Sequence, residues 1–201
     1  MIRIYGKPRS RTFRCLWMAE ETGVPYENVK TEFDRGEART PEFLRINPNG
    51  HVPALEDGDV RLFESLAINL YLARRYGGAL WPRDVADEGR VFQWSIWAMT
   101  ELEEPVVTAL VHRKHLPEGK RDLQRADRAE ERARKPIAVL EGALDGREWL
   151  VGDAFGVADV NVASVLFWAP MANIDLAASP RAVAWLGRCT ARPAFARAQA
   201  A

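Results

Sequence analysis

The sequence predicts an α+β protein, a βαβ–α–ββα domain followed by an all-α domain. Three observations carry this. Residues 2–5, Ile-Arg-Ile-Tyr, alternate as a strand does, and the 11–21 segment then puts Phe13, Leu16, Trp17 and Glu20 at helical spacing. Residues 53–56 and 60–63 bracket Asp57-Gly58-Asp59, the pattern of an antiparallel hairpin. Beyond residue 87 nothing alternates like a strand.

Taken in order, the first strand ends at a loop marked by Gly6, Pro8 and Ser10, and Gly23 stops the first helix. Residues 26–30 make a second strand. A strand, a helix and a strand within thirty residues predict parallel pairing through a right-handed crossover. Thr40 as N-cap with Pro41 at the first position starts a short helix, Asn47-Pro48-Asn49-Gly50 is a turn, and residues 65–76 form a helix after the hairpin. Residues 78–87, with Trp81-Pro82, read as a linker between domains 1–77 and 88–201. In the second domain, helices are expected over 88–112, 121–144, 157–169 and 181–188. Residues 121–135 set Asp127, Glu130 and Glu131 against Arg128, Arg132 and Arg134, as a solvated face does. The Ala-rich end after Phe195 is expected to fray.

With 201 residues, 47% of them hydrophobic, the chain can bury a sizeable core as one domain or two small ones. Lys+Arg and Asp+Glu number 28 each, so the formal net charge is zero. That balance argues against a nucleic-acid binder and against polybasic membrane attachment. No stretch approaches the roughly 20 apolar residues of a membrane span, and no targeting segment is read at the start. Cys15 and Cys189 lie far apart without metal-ligand spacing, so no metal is expected. The expectation is a cytoplasmic protein.

Two places invite a ligand. Val52-Pro53 stands between a turn and a strand, where a cis proline turns the Val52 N–H and C=O outward for pairing with an extended peptide; the plain alternative is a trans proline opening an edge strand. Glu64 and Ser65 stand where strand gives way to helix. Ser65 as N-cap, the free N–H groups and the helix dipole suit an α-carboxylate, and Glu64 suits an α-ammonium. The plain alternative is a capping serine beside an exposed glutamate.

Together, Asn47-Pro48-Asn49-Gly50-His51-Val52-Pro53-Ala54-Leu55, a hairpin and Glu64-Ser65-Leu66-Ala67-Ile68 resemble the glutathione transferases and their thioredoxin-like first domain. The resemblance covers nearly the whole chain. It implies that Val52, before Pro53, binds the cysteinyl backbone of glutathione, that Glu64 and Ser65 bind its γ-glutamyl end, and that His51 reaches the glycyl carboxylate. It also implies glutathione as co-substrate with no other cofactor, a small apolar electrophile, and a homodimer in which Glu101, Glu103 or Glu104 of one copy approaches the γ-glutamyl ammonium in the other. Gly152-Asp153-x-Phe155-Gly156-x-Ala158-Asp159 resembles the family's buried helix-capping motif, a folding element.

Glutathione reacts as its thiolate, and lowering a thiol pKa by two units takes roughly 2.7 kcal/mol. The family places a hydroxyl donor either before the first helix or at the end of the first strand. Ser10, in the run Ser10-Arg11-x-x-Arg14-x-Leu16-Trp17 that resembles many bacterial transferases, ranks first. Arg11 follows as a helping charge and Tyr5 is third, with a packed strand-end aromatic as the other reading of Tyr5. Cys15 falls inside the helix on its apolar stripe, which disfavours a cysteine-type thiol transferase, and Arg9-Ser10-Arg11 does not match the isomerase branch. Trp94, Trp97, Met99 and Thr100 are candidates for an electrophile pocket between the loop after Tyr5 and the first long helix of the second domain, or are core. The implied activity is conjugation of the thiolate to an electrophile, with peroxide reduction as a further activity; the alternative is a non-catalytic ligand-binding or assembly protein.

Overall fold

The structure, a computed structural model, describes residues 1–32 and 36–201. It divides into two units, Met1–Trp81 with Ala191–Ala201, and Pro82–Thr190.

In the first unit, β1 (Ile2–Tyr5), β2 (Tyr26–Val29), β3 (Ala54–Asp57) and β4 (Val60–Phe63) form a four-stranded sheet in the order β2-β1-β3-β4. The β1–β2 pair is parallel, joined through α1 (Thr12–Thr22), and the β1–β3 and β3–β4 pairs are antiparallel. Asp57 pairs with Val60, so the hairpin loop is Gly58-Asp59, with Gly58 at φ 61°. With α2 (Pro41–Leu44) and α3 (Ser65–Tyr76) the order is βαβ–α–ββα, as the sequence predicts. Gly23 closes α1 in the left-handed region, its N–H reaching Ala19 O at 3.1 Å. Thr40 caps α2 by accepting from Phe43 N at 3.3 Å.

The strand period of two divides the sheet into faces. Ile4 and Leu55 are register partners and fully buried, as are Leu16, Ile68 and Leu72 of α1 and α3. On the other face Tyr5 and Ala54 pack with Ala38 and Phe43, joined by Val29, Ile46 and Val52.

The expected fraying after Phe195 is incorrect. Residues Pro193–Ala200 form α10, part of the first unit. Phe195 meets Trp17 and Phe13 edge-on, with ring centroids 4.9 and 5.2 Å away. Arg192 grips the buried Glu21 carboxylate through Nε and Nη2 at 2.8 and 2.7 Å, and Arg197 Nε donates to Glu20 at 2.6 Å. Aromatic packing and a two-pronged ion pair order an end whose composition alone suggests disorder.

The second unit holds α4 (Val85–Trp97), α5 (Glu103–Leu110), α6 (Leu123–Ala143), α7 (Val157–Leu166), α8 (Trp168–Met171) and α9 (Pro180–Thr190), with no strand among its described residues. Asp84 caps α4 through Ala86 N and Asp87 N. The single helix expected over 88–112 is interrupted by a π turn at Ala98–Leu102, where Glu103 N reaches back to Ala98 O, and by another at Val111–His115. Pro105 has no N–H for the Glu101 carbonyl, so the α pattern yields just upstream of it. Every residue of α7 is buried. The helix expected over 157–169 ends at Leu166, with α8 following. Asp159 accepts from Gly156 N and Leu150 N at 3.0 Å and from Trp185 Nε1 at 2.8 Å. One carboxylate thus ties the start of α7 to residue 150 and to α9. Burial pushes its carboxyl up, against the pull of those donors. Among the described residues no helix is long and apolar enough to cross a membrane, and no group of three or more His, Cys, Asp or Glu could hold a metal ion.

Candidate functional site

The loop from β1 to α1 is fixed by Gly6. Its φ is 124°, and a Cβ there would stand 2.0 Å from Thr12 Oγ1 and 3.0 Å from Val52 Cβ, so only glycine fits. The strand end, the start of α1 and the turn carrying Val52 therefore meet at this one residue. Gly6 N donates to Val29 O at 2.9 Å, and Asn28 Nδ2 donates to Gly6 O at 2.9 Å.

Ser10 sits in this loop, partly exposed. Its hydroxyl has Lys7 O and Thr12 Oγ1 as acceptors, each at 2.9 Å, for its single proton, and it accepts from Thr12 N at 3.1 Å. Ser10 lies two residues before α1, and the residue between them, Arg11, is exposed, with φ −59° and ψ −12°. The buried Thr12 hydroxyl donates on to Tyr5 O at 3.4 Å.

Residues 47–53 form a second wall. Asn47 is buried; its Nδ2 donates to His51 O at 2.6 Å and its Oδ1 accepts from Asn49 N at 3.0 Å. This side chain holds the turn together, and a turn motif of this composition signals it locally. The Val52–Pro53 bond is cis. The sheet register begins at Ala54, so Val52 lies beyond the ladder, and the His51 side chain is exposed. Gly50, at φ 61°, leaves room for Arg39, whose Cδ would be 2.8 Å from a Cβ there. Arg39, an exposed cation against this turn, stands eleven residues before Gly50 with no local sequence motif to mark it.

The third wall is the corner between β4 and α3. Glu64, not Ser65, is the cap residue, and it has φ 70° and ψ 110°, a conformation that costs a non-glycine residue on the order of 1–3 kcal/mol. Ser65 is the first helical residue. Its hydroxyl turns inward and accepts from Nη1 of the fully buried Arg14 at 3.3 Å, while Cys15 Sγ contacts Ser65 O at 3.5 Å. Glu64 is exposed at the mouth of this corner. Because Arg14 and Cys15 belong to α1, the start of α3 lies beside the first turn of α1.

Ser10, Arg11, Val52, Pro53 and Ser65 thus belong to segments that converge on the start of α1, and His51 and Glu64 lie at the edges of those segments. Tyr5 faces the other way. Its ring packs edge-on against Phe43 at 5.9 Å and its hydroxyl donates to Glu56. Glu56 is the register partner of Arg3, so the hydroxyl points back along the sheet, away from the loop. Burial, with the Glu56 carboxylate beside it, pushes the phenol up to about 12. The Cys15 thiol is fully buried and burial pushes it well above the ordinary thiol range, as its place on the apolar stripe suggests.

In the second unit, Trp94 is buried and meets Trp97 edge-on at 5.0 Å, Met99 is half-buried, and Thr100 is exposed with its hydroxyl on Ile96 O at 3.2 Å. Of the three acidic candidates, Glu103 is buried, Glu104 pairs with Arg132 at 2.7 Å, and Glu101 is exposed.

Known proteins match this chain along its whole length. Residues 1–74 match the family model described as "Glutathione S-transferase, N-terminal domain", and residues 99–193 match "Glutathione S-transferase, C-terminal domain". The chain is 33% identical to Glutathione S-transferase 3 of Zea mays, over 100% of this chain and 94% of that one. It is 32% identical to Glutathione S-transferase GstB of Escherichia coli strain K12, over 96% and 95%. Among solved structures, the theta class glutathione S-transferase from Xanthomonas axonopodis pv. citri with glutathione bound superposes with a TM-score of 0.93 at 31% identity, covering 100% of this chain and 97% of that one. Ure2p in complex with glutathione superposes with a TM-score of 0.88 at 26% identity, covering 100% and 94%. With both domain models matched in order and full-length relatives at a third identity, the chain belongs to the glutathione S-transferase family.

Proposed function

We propose that this protein binds glutathione through its first unit and joins the glutathione thiolate to a small apolar electrophile. The observation that carries this reading is the convergence of three walls on the start of α1: the Ser10 loop, the Val52–Pro53 turn and the Glu64–Ser65 corner.

In this reading the γ-glutamyl α-carboxylate meets the first N–H groups of α3 and the Ser65 hydroxyl, where the helix dipole favours an anion. The Glu64 carboxylate pairs with the α-ammonium. Val52, outside the ladder, pairs its main chain with the cysteinyl residue. Arg39 and His51 flank the turn that takes the glycyl carboxylate, the guanidinium carrying the fixed charge.

Ser10 then stabilises the thiolate. Its proton otherwise rests on a neutral acceptor, Lys7 O or Thr12 Oγ1. A sulfur anion is a better acceptor, since charge-assisted hydrogen bonds are about twice as strong as neutral ones. Arg11, beside the positive end of α1, adds a favourable field. The thiol proton leaves to solvent, the sulfur lone pair forms the S–C bond, and the leaving group departs with the electrons of the broken bond. Catalysis is thiolate stabilisation and proximity, with no covalent enzyme intermediate.

We further propose a homodimer. Val85, Phe92 and Ile96 of α4 are exposed apolar residues, the last two one turn apart, and their coverage by a second copy would remove them from water.

Retention on immobilised glutathione, followed by turnover of a chromogenic aryl halide and of an organic hydroperoxide, tests the reading. Retention with aryl-halide turnover is expected. Retention without turnover of either substrate points to a non-catalytic ligand-binding protein, and absence of both retention and turnover contradicts the proposed site.

A further inference from the structure

The Arg14–Ser65 contact goes beyond the roles assigned so far. Arg14 is fully buried in the first turn of α1, and Ser65 is 4% exposed at the start of α3. Their side chains meet at 3.3 Å, Nη1 to Oγ. A guanidinium carries only donors and stays protonated at every accessible pH. In this contact the serine oxygen can therefore only accept. A hydroxyl otherwise rotates freely and serves as donor or acceptor as its neighbours require. Arg14 removes that freedom by occupying one lone pair, so the single Ser65 proton is directed elsewhere.

We infer that Arg14 is a positioning residue that holds Ser65 as a proton donor toward the α-carboxylate of the γ-glutamyl group. The inference rests on the glutathione site proposed above. Arg14 touches Ser65 and not the ligand, and it acts by fixing which way the hydroxyl dipole points before the ligand arrives. Such a serine favours a ligand atom that only accepts, as a carboxylate oxygen does, and disfavours one that donates. The consequence is selectivity for the charged α-carboxylate, obtained from a residue behind the site.

The test compares dissociation constants for glutathione and for its analogue lacking the glutamyl α-carboxylate, 4-aminobutanoyl-cysteinylglycine, by calorimetry. Wild type is expected to prefer glutathione by more than tenfold, the scale of a hydrogen bond to a charged group. Arg14→Met is expected to cut that preference about tenfold by weakening glutathione while leaving the analogue's affinity nearly unchanged. Arg14→Lys, which keeps a donor-only side chain, restores the preference to within about threefold of wild type. A purely structural role weakens both ligands alike, so an unchanged ratio in Arg14→Met overturns the inference, as does failure of Arg14→Lys to restore it. A wild type that binds neither ligand removes the glutathione site itself and the inference with it. A wild type that binds both equally leaves glutathione binding intact and overturns the role of the carboxylate contact. Should the Arg14 variants not fold, a neutron structure of the wild-type complex decides. The Ser65 deuteron is expected on the carboxylate with an Arg14 N–D aimed at Oγ, and a Ser65 deuteron pointing anywhere else overturns the inference.

Discussion

Ser10 and Tyr5 both carry a hydroxyl on or just after β1, and their surroundings separate them. Ser10 is partly exposed and holds its proton against neutral acceptors, whereas Tyr5 is buried and donates to a carboxylate. Ser10→Ala should therefore lower kcat/KM by more than tenfold and Tyr5→Phe should change it only slightly, as steady-state kinetics with an aryl halide will show. The pH dependence separates them further. With its phenol pushed up to about 12, Tyr5 stays protonated from pH 5 to 9 and contributes no inflection there. In wild type, kcat/KM should rise with pH through a thiol pKa below the ordinary value of about 8.5. Ser10→Ala should move that rise upward by one to two pH units, on the order expected for a lost charge-assisted bond, and Tyr5→Phe should leave it in place. At this scale the sequence was legible where the chemistry is local. Asn47, Gly50 and Pro53 fall in one short run whose turn chemistry needs no distant partner. The Arg14–Ser65 contact joins residues 51 positions apart, and no local pattern announces which way a serine hydroxyl turns.

The elements were legible wherever a period or a cap marked them, and less so where packing decides. Gly23, Thr40 and the Gly58-Asp59 loop stand where turn chemistry puts them. The φ of 70° at Glu64 and the order of α10 both come from tertiary structure. Glu64 is the bend between a strand in the sheet and a helix packed on α1, and α10 is held by α1, more than 170 residues earlier in the chain. Phe195→Ala should cost about 3 kcal/mol, the scale for a buried phenylalanine, measured by denaturant unfolding. The far end of α3 offers a pH test. Asp57 accepts from the Tyr71 and Tyr76 hydroxyls. Burial alone would raise its carboxyl, but the bonds from Tyr76 and Tyr71 and the nearby Arg75 outweigh it, and the net shift is downward from 3.8. A depressed folded value stabilises the protein above the unfolded pKa and loses that stabilisation as pH falls through the folded one. The loss in Tm caused by Asp57→Ala should be full at pH 7 and shrink below pH 3.8.

For the whole molecule, the division into an α+β part and a helical part followed from a change of period along the chain, and the two family domains occupy the same order. What holds the helical unit together was legible only as a motif. Asp159 and the donors it gathers span three segments, and Asp159→Ala should destabilise that unit by roughly 3 kcal/mol or more, since several buried donors lose their acceptor together. A ligand that binds only the folded state adds stability, about 2.7 kcal/mol at a hundred times its Kd. Glutathione at that excess should raise Tm by roughly 5–10 °C for a chain of this size. The most direct test of the account is a crystal structure with glutathione bound. It should show the γ-glutamyl carboxylate on Ser65 and the first N–H groups of α3, the cysteinyl main chain paired with Val52, and the sulfur within hydrogen-bond reach of Ser10 Oγ. A sulfur held by the Tyr5 hydroxyl, or glutathione bound away from the start of α1, would contradict it.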